Sequence, residues 1–348
     1  MKKLIALMLA LALASTLTLS ALAENAPATV RTFGTLSMLN VTEEECAAFL
    51  EARLQAGGKL VEEGYAEQPE YDPGIPPEGV VRKIVFYDTL DALLMALNAG
   101  DIDGIETYQS VARYLCAAND NLQMGIIYDM DKERNTFAEM MLSGIIGNDF
   151  AFLMMKENAA LRDEFNAAIV DMKADGTLER LVKEQIDNLI DGGESMPIAL
   201  PKIDGVETVK VAVTGSLPPM DYVAADGTPA GFNTAVLAEI GTRIGRNIEI
   251  VVVDSLGRAA ALASGTVDAV FWIRTSNNAQ GSSAATEAEH QSYLAKMYAA
   301  MTEEEIALIN EMNEPIDFRS YGATDMPDGT IVTESYFSDV LVPVFLVR

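Results

Sequence analysis

The chain is poor in histidine and cysteine, the side chains that most often mark nucleophilic or transition-metal chemistry. Its 348 residues include one histidine, His290, and two cysteines, Cys46 and Cys116. No nucleophile–base pair, cluster of metal ligands or glycine-rich phosphate loop can be read from it. No catalytic residue, metal or cofactor is therefore assigned. His290 falls in a polar, irregular stretch and reads as a surface residue. The cysteines leave a disulfide open: an oxidising compartment permits one, but spacing alone does not bring two Cα atoms within bonding reach. Trp272, the one tryptophan, fits either core packing or a platform at the mouth of a cleft. Methionines such as Met154 and Met155 read as core filler. What the remaining side chains could do depends on the elements that position them.

Two stretches say nearly the same thing. ALNAGDIDGI occupies 96–105 and ALASGTVDAV occupies 261–270. In each, a helix ends, Gly100 or Gly265 makes a left-handed exit, and Asp103 or Asp268 opens a short apolar strand. Such a unit is common in α/β proteins, so its surroundings decide its meaning. Residues 150–155 read as an apolar strand. Leu161, Phe165, Ala168, Ile169 and Met172 then mark the buried face of a long helix. Asp175-Gly176 breaks it, and a second helix starts near Thr177. The stretch DGGESMPIALPKIDG, 191–205, reads as a linker. TVKVAVTG follows as an alternating strand, then SLPPMDYVAADGTPAGF as a loop with a tight Asp226-Gly227 turn. NTAVLAEIGTRIG reads as a helix capped by Asn233 and ended at Gly245. IEIVVVD is a second strand, and the helix into ALASG and the strand VDAVFW complete the series. That alternation implies a parallel sheet with helices on its faces. Between 275 and 328 regularity fails, apart from a helix with a Thr302–Glu305 capping box. The closing TIVTESYFSDVLVPVFLVR reads as strand, turn, strand.

The length suggests about two domains. With 24 basic and 52 acidic residues, the formal charge of −28 argues against nucleic acid and anionic membranes as partners. MKKLIALMLALALASTLTLSALAEN reads as a secretory signal peptide over 1–23, with Ala21-Leu22-Ala23 as the cleavage site. A membrane anchor is the competing reading. Cleavage removes two lysines and no acid, taking the charge from −28 to −30. The cleavage site lacks a lipid-accepting cysteine, so the expected location is secreted or periplasmic. No other stretch reaches the roughly 18 apolar residues of a spanning helix.

Residues 209–272 resemble the first lobe of family 3 extracellular solute-binding proteins, the amino-acid-type receptors of ABC importers. The family pattern is a strand, aromatic-Pro-Pro-Phe, a D-G turn, G-F-D, a helix, a strand and L-x-x-G-x-x-D. TESYFSDVLVPVFLVR resembles its F-S-x-P-Y-Y segment, which leads into the hinge. FYDTLDALLMALNAGDIDGIETYQSVARYL resembles the helix, L-x-x-G-x-x-D and V-A-x-Y run of its second lobe. FAFLMMKENAALRDEFNAAIVDMKADGTLERLVKEQI resembles that lobe's closing strand and helices, and GTLSMLNVTEEE resembles its opening Gly-Thr loop. The two copies are then the equivalent units of a two-lobed α/β fold with a hinge. Their order is inverted: 29–190 resembles the second lobe, 191–205 the linker, and 206–348 the first lobe, with an irregular insert at 276–325. A circular permutation accounts for this, since domain termini often lie close together. Two incomplete receptors in tandem is the alternative, but each would leave a sheet edge uncovered.

The resemblance implies a monomer that captures a small polar solute, an amino acid or a relative, in the cleft between lobes, and delivers it to a membrane ABC permease. Carried over by position, the first lobe offers Ser216, Leu217, Met220, Asp221, Tyr222, Trp272, Ile273, Arg274 and Thr275. The second lobe offers Thr35, Ser37 and Tyr108. Three departures stand out. Leu217 replaces the usual ligand-stacking aromatic. The carboxylate-binding arginine falls at about Gln280, where Arg274 is the available substitute. The acid that receives the ligand's ammonium falls at Tyr108, with Glu106 or Asp221 as substitutes. These departures keep a second reading open, a ligand-degenerate sensor or surface interaction protein. An enzyme such as a dehydratase ranks behind both, because no acid–base pair is legible.

Overall fold

The computed structural model describes residues 29–37, 41–44, 80–125, 128–129, 147–255, 257–275 and 327–347, with position 46 and scattered positions between 292 and 306. The signal-peptide reading, Gln280, His290, Glu305 and most of the 276–325 insert lie outside the described residues. No helix among the described residues is long and apolar enough to cross a membrane.

The chain begins with two parallel strands, β1 (Thr29–Leu36) and β2 (Val80–Tyr87). Helix α1 (Leu90–Ala99) follows. Its Thr89 Oγ accepts from the Ala92 N–H at 3.2 Å, and Gly100 closes it at φ 79°. Leu90, Leu93, Ala96 and Leu97 form its buried face. Gly34 on β1 lies so close under this helix that a Cβ would meet Leu93 and Ile102 side chains at 2.6 and 2.7 Å. β3 (Gly104–Tyr108) runs directly into α2 (Gln109–Ala118), and the short β4 (Leu122–Met124) follows.

β5 (Gly147–Met155) leads to α3 (Ala159–Ala174). Phe165, Ala168, Ile169 and Met172 of α3 are buried, as the periodicity predicts, and Leu161 is half-buried. Gly176 at φ 77° separates α3 from α4 (Thr177–Leu181), and π-helical turns over Val182–Asp187 lead into α5 (Asn188–Ile190). The 191–205 segment forms no strand or helix. Its Ile203 exchanges hydrogen bonds with the Asn247 side chain, and Ile198 and Leu200 pack on the core.

The last third opens with β6 (Thr208–Val213) and a small antiparallel sheet of β7 (Ser216–Leu217), β8 (Asp221–Val223) and β9 (Pro229–Ala230). Helix α6 (Phe232–Ile244) begins one residue after Gly231, not at Asn233. Asn233 lies inside the helix, fully buried, where its Oδ1 accepts from the Tyr336 hydroxyl at 2.9 Å. Gly231 takes φ 96°, and a Cβ there would meet the Met220 and Pro219 carbonyls at 2.7 and 2.8 Å, so the sharper turn belongs to glycine and displaces the cap. β10 (Asn247–Val252), α7 (Gly257–Ala263) and β11 (Ala269–Thr275) follow, then β12 (Thr330–Val332) and the long β13 (Phe337–Leu346).

Two sheets of one design emerge. The first runs β2-β1-β3-β13-β4, and the second runs β10-β6-β11-β5, with β12 and the start of β13 beyond β5. In each, three parallel strands are followed by an antiparallel one that links to the other sheet. β13 serves both. Its Phe337–Val340 segment pairs with β5, and its later residues pair with β3 and β4. The twin stretches occupy matching places. Asp103 accepts from the Thr32 N–H at 2.7 Å, and Asp268 accepts from the Lys210 N–H at 2.8 Å. Each aspartate also returns its own N–H to the same residue's carbonyl.

The division drawn at 191–205 needs one correction. β5, α3 and α4 sit with the second sheet, although they precede the linker, while α5 packs back against α2. α3 and α4 pack against α6: Arg246, just past α6, forks onto Glu164 of α3 at 2.7 and 2.9 Å, and Arg180 of α4 reaches Glu239 of α6 at 2.8 Å. The reason is the crossing: the chain leaves the first sheet after β4 and enters the second at β5, well before the linker. The cysteines are both free thiols, Cys46 buried and Cys116 half-buried, so the open disulfide is not formed.

Candidate functional site

The C-terminal ends of the parallel strands in both sheets converge on one cavity of about 90 Å³. Open α/β sheets bind ligands at these ends, because loops there are free to vary while the strands hold them. From the first sheet come Thr35, Leu36 and Ser37 after β1, Asp88 after β2, and Glu106, Thr107 and Tyr108 at the end of β3. From the second come Thr214, Ser216 and Leu217 after β6, Ser255 and Arg258 after β10, and Phe271 and Arg274 on β11. Phe150 and Leu341 on the crossing strands close the floor. There Tyr108 meets Phe150 edge-on, with ring centroids 4.7 Å apart.

Charges of both signs reach this cavity. Arg274 is 7% exposed and Glu106 1%. Burying such groups is costly unless they are met by opposite charge or hydrogen bonds. Arg274 owes its direction to a bulge. The pairing of β11 with β5 shifts between Val270 and Ile273. Strict alternation would set Phe271 and Arg274 on opposite faces. The bulge brings both to the cavity. Hydroxyls surround these charges: Thr35 Oγ donates to the Glu106 carbonyl at 3.0 Å, and Ser37 Oγ donates to Asp88 at 3.2 Å.

Of the residues expected from sequence, Thr35, Ser37, Tyr108, Ser216, Leu217 and Arg274 line the cavity. Glu106, named as a substitute acid, does too. Met220, Asp221, Tyr222 and Ile273 do not. Met220 is fully buried in the core. Ile273 packs on the opposite face of its sheet, with Val270. Tyr222 donates its hydroxyl to Ser195 of the linker at 2.6 Å. Asp221 faces the backbone, accepting from the Gly215 N–H at 2.6 Å and from Thr214 Oγ at 3.2 Å. It thereby shapes the turn that carries Thr214 and Ser216 to the cavity. Burial pushes its carboxyl up to about 7. Trp272 and Thr275 lie on β11, but their side chains are outside the described residues.

Sequence reading missed Arg258, Ser255, Asp88 and Thr214. Arg258 sits in an alanine-rich helix, where a lone arginine reads as a solvated position. The one usable signal was its place just after a strand end, matching the Asp88–Leu90 region of the other copy.

Residues 209–314 match the family model described as bacterial extracellular solute-binding proteins, family 3. That span contains β6 to β11, so the family resemblance read from the sequence is borne out there. Among solved structures, the ligand-binding component of an ABC-type import system from Staphylococcus aureus, with zinc bound, is 10% identical, covers 91% of this chain and 66% of its own, at a TM-score of 0.37. The periplasmic aliphatic sulphonate binding protein of Escherichia coli is 12% identical, with coverages of 91% and 61% and a TM-score of 0.30. A probable amino-acid ABC transporter extracellular-binding protein from Bacillus subtilis is 8% identical, with coverages of 92% and 84% and a TM-score of 0.32. The chain spans less than two thirds of the length of the first two. Likenesses this distant bear on neither substrate nor partner.

Proposed function

We propose that this chain, which carries a family 3 extracellular solute-binding segment over 209–314, is the secreted substrate-binding component of an ABC importer. It captures a small polar solute, an amino acid or a relative, between two lobes that close about the strands crossing between them. One observation carries the reading. The cavity lies between the strand ends of two like-built sheets and presents a buried guanidinium, Arg274, and a buried carboxyl, Glu106, amid hydroxyls. A guanidinium fork matches a carboxylate, and an acid matches an ammonium, so a zwitterion suits the pair. Tyr108, Phe150 and Phe271 supply the aromatic surface that Leu217 does not. The presence of Arg274 in the cavity favours this reading over a ligand-degenerate protein. A permease that accepts the loaded, closed form is the partner the reading requires.

Thermal unfolding against a panel of amino acids, small carboxylates, amines and short peptides tests it. A solute that binds only the folded chain raises the midpoint by mass action. Arg274→Ala is expected to weaken the hit by about 30-fold or more, the cost of truncating one partner of a buried charge pair. A panel without any shift would overturn the reading.

A further inference from the structure

Among the described residues, hydrogen bonds from Arg258 and Ser255 join the lobes directly at the cavity, from protein to protein. Arg258 Nη2 donates to the Ser37 carbonyl at 3.3 Å, and Ser255 Oγ donates to the Asp88 carbonyl at 3.0 Å. The donors lie on the loop after β10 and on α7. The acceptors follow β1 and β2. Arg258 also donates from Nε to the Ser255 carbonyl at 3.3 Å, which ties the two donors into one unit. On the other side, Ser37 and Asp88 are tied by their own side-chain bond. Arg258 is 6% exposed and Ser255 3%; the Arg258 bond is buried and the Ser255 bond part-buried.

Their place in the sheets matters. The continuous strand order is β10-β6-β11-β5-β13-β3-β1-β2. The crossing strands β5 and β13 stand at its middle, and β10 and β2 at its two ends. Any opening about the crossing strands moves the ends furthest. Three strand spacings of roughly 4.8 Å separate β5 from β10, so a modest rotation breaks bonds that tolerate only a few tenths of an ångström.

We infer that Ser255 and Arg258 form a latch that fastens the two lobes in the closed arrangement without help from the solute. They act as positioning residues: they hold the cavity shut and slow the escape of what it contains, while Arg274 and Glu106 face the solute. Because both acceptors are backbone carbonyls, these two bonds can be removed only through the donor side chains, Ser255 and Arg258. It goes beyond the importer reading, since its action requires no particular solute and no permease.

Small-angle X-ray scattering on the exhaustively dialysed protein, with no solute added, tests the latch. The wild type is expected to scatter as the closed structure does. Ser255→Ala/Arg258→Ala is expected to show a larger radius of gyration, with far-UV circular dichroism unchanged. Ser255→Ala alone removes one bond without touching a charge, and should shift the curve in the same direction by less. It carries the test if the double variant fails to fold. Arg258→Lys keeps the charge but loses the fork and should also open. A wild type that is already open, or a folded variant with an unchanged curve, would overturn the inference. A failed solute panel would leave these curves as they are, so the two readings fail separately.

Discussion

Asp221 shows how a residue next to a site can matter more for shape than for contact. It lies under the turn that carries Thr214 and Ser216, and its Oδ2 takes both hydrogen bonds from that turn. Desolvation dominates its titration, raising the carboxyl from 3.8 to about 7. The sign follows from proton counting. Between about pH 4 and 7 the folded chain keeps a proton that the unfolded chain has released, so stability falls as pH rises through this window and levels off above it. Asp339, pushed up to about 6 by burial, acts in the same direction. Asp221→Asn removes one of the two titrations while keeping an acceptor for Gly215. The difference in melting temperature, wild type minus variant, should therefore shrink from pH 5 to pH 7.5. The effects of Asp339 and of the large net negative charge are common to both proteins and cancel. Parallel melting curves across that range would sink the assignment.

At the scale of elements, the repeated helix–glycine–aspartate–strand unit can be tested by symmetry. Asp103 and Asp268 each lock the exit of a helix to a neighbouring strand through a carboxylate-to-backbone bond of nearly equal length. Asp103→Ala and Asp268→Ala should each cost about 1 kcal/mol in urea unfolding. Because they sit in different sheets, the costs should add in the double variant to within about 0.5 kcal/mol. A large effect at one site and none at the other would show that the likeness is of letters alone. This unit was legible because local signals fix it: a left-handed glycine and a period-3.6 apolar face. The α3 periodicity and the Asp226-Gly227 turn, where the Gly227 N–H meets the Ala224 carbonyl at 2.8 Å, were legible for the same reason. The allegiance of β5 was not, because the apolar run Phe150–Met155 satisfies any sheet. Nor was the β11 bulge, which is set by pairing with β5 and alone explains how Phe271 and Arg274 share a face. Seven of the eighteen cavity-lining residues were thus readable by position, while the latch residues, whose partners lie more than 160 residues away, were not.

For the whole molecule, the question is whether the order of the halves is a permutation of one fold or a tandem of two. The registers bear on it. Gly34 of β1 and Val344 of β13 both pair with Ile105 of β3, β1 in parallel and β13 antiparallel. The start of β1 and the end of β13 therefore lie at the same end of the first sheet, with only β3 between them. Two strand spacings make about 10 Å. A joint of six residues, enough to span about 20 Å, would connect them. We propose that the natural order is a circular permutation, with 191–205 as the added joint. A chain rebuilt to run from residue 206 to 348, then from 24 to 190, should fold with the same circular dichroism and one cooperative unfolding transition. The separate pieces 24–190 and 206–348 should not, because β5 in the first piece completes the sheet of the second and β13 in the second completes the sheet of the first. Independent cooperative unfolding of both pieces, with a rebuilt chain that fails to fold, would establish the tandem instead. Cooperative folding of the rebuilt chain alone would mean that the crossing strands, rather than the position of the termini, define the folding unit.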